Sequence, residues 1–156
     1  NDFHCEDCLN IINSNGEISN LEITNSSFDA VDFDFSNINI KNIIVKNSKN
    51  DCLDLSFGTY YISKGQLVGC SDKGISLGET SKGIFNHLII SESKLGIVAK
   101  DGSIANIENL FATEIDEYCL SAYKKKQEFG GGKIIYQNIN CDKGFYFDQY
   151  STISKK

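Results

Sequence analysis

Apolar residues recur along this chain in short alternating runs, and the runs keep a fixed distance from one another. The first apolar residue of successive apolar-any-apolar triplets falls at Leu9, Val31, Leu53, Ile75 and Ile97, a constant step of 22 residues, and Leu120 and Phe145 continue the series at steps of 23 and 25. Two positions further on stand Ile11, Phe33, Leu55, Leu77, Ala99, Ala122 and Phe147. Nine positions on come Ile18, Ile40, Ile62 and Ile84, and fourteen on come Ile23, Val45, Leu67, Ile89 and Phe111. Asn, Gly, Ser and Asp fill the gaps, so the pattern predicts short strands joined by turns, about three to a repeat. A period of this length predicts a chain wound into a coil, each turn stacked on the last as parallel strands. Neighbouring strands lie about 4.8 Å apart, so the rod would be roughly 30 Å long.

These columns, which run from about Cys8 to Phe147, resemble the right-handed parallel β-helix of the pectin-lyase-like superfamily. The expected fold class is all-β, a β-solenoid of six to seven coils forming a single domain over residues 1–156. Asn25 and Asn47 share one turn column, and Asn20, Asn42 and Asn86 are expected to share another. Stacked amides can bond one another from coil to coil and tolerate left-handed turns. The longest departure from the period is the stretch YKKKQEFGGGK, residues 123–133, which carries three extra residues and is expected to project as a loop.

Composition narrows the partners. Twenty-one acidic residues against 15 lysines, with no arginine, give a net charge of −6. The chain therefore offers neither the basic footprint that nucleic acid requires nor an arginine fork for phosphate. No apolar run approaches the roughly 20 residues of a membrane-spanning helix. The chain starts at Asn1 and contains no methionine, and is expected to be a mature or excised part of a longer polypeptide with other domains.

Six cysteines would suit three disulfides, but the columns argue otherwise. Cys8, Cys52 and Cys119 share one column two or three coils apart, and Cys70 and Cys141 lie three coils apart near another turn, beyond the roughly 7 Å that a disulfide allows between Cα atoms. Only Cys5 and Cys8 are expected to be close, leaving at least four free thiols as small buried residues beside Ala30, Gly74 and Gly96. The run HCEDC offers zinc only His4, Cys5 and Cys8, with no second CxxC. His87 reads as a surface turn residue.

Candidate chemistry gathers on the first strand of each coil. The residue between two inward apolar positions must point outward, and that column reads Asn10, Asp32, Asp54, Ser76, Val98, Ser121 and Tyr146. Asp29 and Asp51 form a second acidic pair at the preceding turn, followed by Lys73. Further along lie Asp34, Ser56, Lys100 and Tyr123, then Glu79, Asp101 and Lys124. Stacked like charges destabilise a sheet unless a cation, a lysine or a shared proton relieves them. The resemblance implies a polysaccharide bound or cleaved on this face. Asp32 and Asp54 resemble the paired aspartates of polygalacturonase-type hydrolases, and Lys100 would be the base for β-elimination or epimerisation of a uronic acid. Asp34, Lys73, Glu79, Asp101, Tyr123 and Lys124 would line the binding face, and Asp32 with Asp54 could hold Ca²⁺. The arginine base of pectate lyases and the histidine motif of polygalacturonases have no counterpart here. The leading expectation is a carbohydrate-binding or cell-surface-polymer-binding module that is extracellular, cell-surface or periplasmic. Lyase, epimerase or hydrolase activity, or a structural spacer role, are the alternatives.

Overall fold

The computed structural model describes residues 5–156, and within them the chain is a parallel β-solenoid of about seven turns without a helix. Its strands are β1 (Leu9–Ile12), β2 (Asn15–Ser26), β3 (Val31–Asp34), β4 (Asn37–Ser48), β5 (Leu53–Ser56), β6 (Thr59–Gly78), β7 (Lys82–Lys100), β8 (Ile104–Tyr123), β9 (Lys133–Cys141), β10 (Phe145–Phe147) and β11 (Thr152–Lys155). Every pairing is parallel and joins a residue to its equivalent one coil away, as in Leu9 with Val31, Val31 with Leu53 and Leu53 with Ile75. The core is the stack of inward columns that this register creates. Val31, Leu53, Ile75, Ile97 and Leu120 are fully buried in one, and Val45, Leu67, Ile90 and Ala112 are buried in another. Buried Tyr60 places its hydroxyl 2.7 Å from the Ser56 carbonyl and 2.9 Å from that of Phe33, so its polar tip is satisfied inside the coil.

Turns stack as the strands do. Asn25, Asn47, Gly69, Glu92 and Glu114 all adopt positive φ at equivalent corners, as do Asn13, Phe35, Phe57 and Asp101 at another. The Asn47 amide donates to Asn25 Oδ1 at 3.1 Å and the Asn42 amide to Asn20 Oδ1 at 3.0 Å, which are the expected ladders. Phe35 and Phe57 occupy the left-handed region at a cost of roughly 1 kcal/mol or more each, and their rings stack at 4.5 Å.

The period is less constant than the sequence suggests. Two residues connect Ser56 to Thr59, whereas three connect Gly78 to Lys82, and the second and third strands of the next coil therefore shift by one. Phe85, not Ile84, pairs with Ile62, and Ile90, not Ile89, pairs with Leu67. The column of Asn42 continues through Lys64 to His87 and excludes Asn86, which bonds the Tyr61 hydroxyl instead. The offset is removed at Leu95, which returns to the 22-residue step against Lys73. Because side chains alternate with period two, the shift turns Ile89 and Phe111 outward.

The closeness of Cys5 and Cys8 is borne out, but the expectation of four free thiols is overturned, since all six cysteines are paired. Cys5 bonds Cys8, Cys52 bonds Cys70 and Cys119 bonds Cys141, with Cα separations of 4.9, 5.3 and 6.4 Å. Comparing residues within a column measures only distance along the axis. Around a coil the chain nearly closes on itself: Cys70 comes 18 residues after Cys52, just short of one period, and so arrives beside it. Cys119 and Cys141 repeat the device in the longer sixth coil. The Cys5–Cys8 bond also removes the thiolates of the zinc reading, whose His4 lies outside the described residues. Three disulfides point to a non-cytoplasmic location.

Thiol titration of the unfolded, unreduced protein is therefore expected to find no free cysteine, and reduction to expose six. Cys52→Ala with Cys70→Ala should lower stability by about 2–4 kcal/mol in denaturant unfolding, the usual worth of closing a loop of this length. Two or more free thiols in the unreduced protein would refute the pairing.

Candidate functional site

The acidic strand row is present, but the middle of its column is closed. Asp32 pairs directly with Asp54 across β3 and β5, both half-buried, and the Asn10 amide donates to Asp32 Oδ2 at 3.0 Å. In coils four to six the outward column is covered, with Ser76, Val98 and Ser121 at most 1% exposed, and it opens again at Tyr146. Lys100 is itself buried: its chain lies across Gly78, and its ammonium donates to Ser76 Oγ at 2.8 Å. It is not the open, solvent-facing base expected from its column.

The extra residues of the sixth coil pack along the turn beside this column. Instead of projecting, the segment 124–132 folds back along the solenoid. The Lys125 and Lys126 amides both donate to Asp101 Oδ1 at 2.7 Å, the Lys126 ammonium pairs with Glu79, and Phe129 meets the Phe57 ring edge-on at 6.2 Å. Glu79 also accepts a bond from Ser56 Oγ at 2.8 Å. Gly132 passes so close to the Ala99 carbonyl that no Cβ would fit. Glu79 and Asp101 are thus anchors of a strap. Lys124 stands apart at the C-terminal end, its amide bonded to Asp148 and its ammonium 5.3 Å from the centre of the Tyr150 ring. Tyr123, just before this segment, is half-buried, and burial raises its phenol above the ordinary value.

Two acidic columns solve the problem of stacked charge differently. At the turn, Asp29 Oδ1 accepts the Asp51 amide at 2.8 Å, and Asp51 Oδ1 in turn accepts the Lys73 amide at 3.0 Å and its ammonium at 3.3 Å. Each carboxylate staples the next coil. Burial nevertheless pushes Asp51 up to about 7 against the pull of Lys73, with Asp54 and Asp29 adding to the shift. Burial opposes the charge on Lys73, but Asp51 and Asp72 outweigh it and hold the ammonium above its ordinary value. On the strand row no such staple exists. Burial, then the charges of Asp34 and Asp54, push Asp32 up to about 6, and one buried oxygen of Asp54 has no hydrogen-bond partner. Neither Lys73 nor Lys100 forms an ion pair with Asp32 or Asp54 among the described residues.

A calcium ion would need six to eight oxygens. Among the described residues no third Asp, Glu, His or Cys joins Asp32 and Asp54 in a compact ligand set. The one compact trio, Cys119, Cys141 and Asp142, has its sulfurs tied in a disulfide.

The main groove lies on another face. Its volume is about 930 Å³, and it follows the bend between the second and third strands of coils two to six, opening at the C-terminal end where Tyr136 and Phe145 meet edge-on at 5.5 Å. One row along it is polar, Asn42, Lys64, His87, Asn109 and Asn138, and the next is Ile44, Gln66, Ile89, Phe111 and Asn140. Ile89 and Phe111 are 48% and 45% exposed. Lys143 and Lys155 complete the lining, in which there is no aspartate or glutamate. A constant 22-residue step hides this face by assigning Ile89 and Phe111 to the core. The signal was the turn sequence, FG at 57–58 against ETS at 79–81 and DGS at 101–103.

The raised carboxyls set the sign of the pH response. Between the ordinary carboxylate value near 4 and the folded values of about 6 and 7, the folded chain binds more protons than the unfolded one, so stability rises as pH falls from 8 to 5. Asp54→Asn should raise the melting temperature at pH 7.5 by roughly 2–4 °C, the effect of about 1 kcal/mol in a chain of this size, and flatten that pH slope. A lower melting temperature for the variant at pH 7.5 would show that the row is neutralised in the wild type. Compared with protein-family models, with curated proteins and with solved structures, the chain finds no match in any of the three.

Proposed function

We propose that this chain is a carbohydrate-binding β-solenoid whose ligand, an acidic polysaccharide such as a polyuronate, lies along the groove of coils two to six. The observation that carries the reading is charge segregation: in a chain of net charge −6, this lining holds three lysines and no carboxylate. Amides at Asn42, Gln66, Asn109 and Asn138 both donate and accept, as sugar hydroxyls require. Ile89 and Phe111 supply an exposed apolar platform of the kind that faces a sugar ring. The lining has no pair of carboxylates of the kind that glycoside hydrolysis uses, which favours binding over hydrolysis there.

Hydrolysis is a second reading, favoured by one observation: Asp32 and Asp54 stand directly opposite, with Asp32 raised to about 6, so a proton donor sits beside a second carboxyl. Elimination through Lys100 has less support, because that ammonium is buried against Ser76.

Titrating polygalacturonate into the protein should show binding that weakens with salt and falls roughly tenfold or more in both Phe111→Ala and Lys64→Ala, a loss of about 1.4 kcal/mol. Asp54→Asn and Lys100→Ala should bind as the wild type does. Full affinity in the groove variants would overturn the reading. Reducing-end release lost in Asp32→Asn would establish the hydrolase instead.

A further inference from the structure

We infer that Lys64 and His87 form the carboxylate-reading subsite of the groove, with His87 taking up a proton from solvent as a uronate binds between them. This rests on the groove reading and adds to it the point at which the acid group is recognised.

The polar row of the groove is an amide ladder with one break. On its C-terminal side the Asn138 amide donates to Asn109 Oδ1 at 3.1 Å, and the Asn109 amide donates to the Asn86 carbonyl at 3.3 Å. On its N-terminal side the Asn42 amide donates to Asn20 Oδ1 at 3.0 Å. Both runs point their N–H groups toward the N-terminal coil. Between them stand Lys64 and His87, paired directly across β6 and β7 and both exposed. Side chains on adjacent strands lie about 4.8 Å apart, so one carboxylate can accept from both. Amides serve a neutral hydroxyl elsewhere in the row, but at this break a cation stands beside a group that can become one.

Ladder polarity sets the state of His87. Asn109 turns its N–H group toward His87 Nε2 at 3.4 Å, because its oxygen is taken by Asn138. That ring nitrogen therefore accepts, and the imidazole is neutral with its proton on Nδ1. A contact of this length is weaker than an ordinary N–H hydrogen bond and costs little to give up. Lys64 faces the ring from β6 and Asn109 from β8, while the adjoining corner carries Lys41, Asn86 and Glu108. Tyr136 of β9, with Lys143 and Lys155, completes the lining, from which Glu108 is absent. The lysines oppose a charge on the ring until an acid group arrives. A carboxylate lodged against Lys64 reverses the preference, since an anion within about 4–6 Å favours the charged form.

The test measures affinity for polygalacturonate by calorimetry near pH 7.5 and pH 5.5, where uronate carboxyls remain ionised. Wild-type affinity should rise roughly tenfold at the lower pH, within the tenfold per pH unit that uptake of a full proton allows. Runs between these values in buffers of different ionisation enthalpy should show net proton uptake. His87→Gln should lose both the rise and the uptake. Asp32 and Asp51 also titrate in this interval, but they lie outside the lining and remain in the variant, so the loss belongs to the ring. Polygalacturonate with methyl-esterified carboxyls should bind the wild type without pH dependence. Equal wild-type affinity at the two pH values overturns the inference and leaves the groove reading standing. So does a rise that persists in His87→Gln or with the esterified polymer. Failure of polygalacturonate to bind at either pH overturns both.

Discussion

In a parallel solenoid every residue is hydrogen-bonded beside its own equivalent one coil away, and each column must therefore tolerate itself. Apolar columns do so by drying one another, which is why Val31, Leu53 and Ile75 disappear from solvent together. Amides do so by donating to the amide below, as Asn42 does to Asn20. Left-handed corners recur because the strands on either side of them are already aligned, and this alignment holds even Phe35 and Phe57 in a conformation that a lone residue would avoid. Carboxylates are the hard case. Asp29 and Asp51 survive by accepting a backbone amide from the next coil, with Lys73 closing the series. Asp32 and Asp54 have no such outlet, and their strain shows in the raised carboxyl of Asp32 and the unpartnered oxygen of Asp54.

Irregularities carry what is specific to this molecule. One added residue between Gly78 and Lys82 rotates two strands by a register step, turns Ile89 and Phe111 outward and so lays an apolar platform beside an amide row. The longer insertion in the sixth coil closes the neighbouring face, because Asp101 and Glu79 hold it down at 124–126 and Phe57 receives Phe129. Acidic chemistry and the open groove consequently sit on different faces. The groove is lined by amides, aromatic rings and lysines, and no aspartate is among its lining residues.

Covalent closure follows the same geometry. Cys52 and Cys119 sit in a column so tight that Gly74 and Gly96 occupy its intervening coils, and a Cβ at Gly96 would strike the Cys119 backbone. Each sulfur reaches across the seam to a cysteine arriving at the end of the same coil. Such bonds limit the unwinding of single coils, which in a solenoid depend on their neighbours alone.

The sequence by itself determined the class of fold, because an apolar column repeated at a fixed step leaves a chain few ways to bury it other than by stacking coil on coil. Leu9, Val31, Leu53 and Ile75 were enough to show the winding, and Asn25 with Asn47 to show a stacked corner. The acidic pair Asp32 and Asp54 was legible for the same reason, since adjacency along the axis is encoded in the period. What lies around the coil or outside the period was decided by the tertiary structure alone. Cys52 and Cys70 meet because a turn nearly closes, a distance that no column comparison contains. Lys100 is buried because its own chain lies over Gly78, and Glu79 and Asp101 hold the strap at 124–126 because that segment folds back. Whether Ile89 faces the core or the groove turned on a single residue in a turn, because alternation with period two converts a one-residue offset into opposite faces of the sheet.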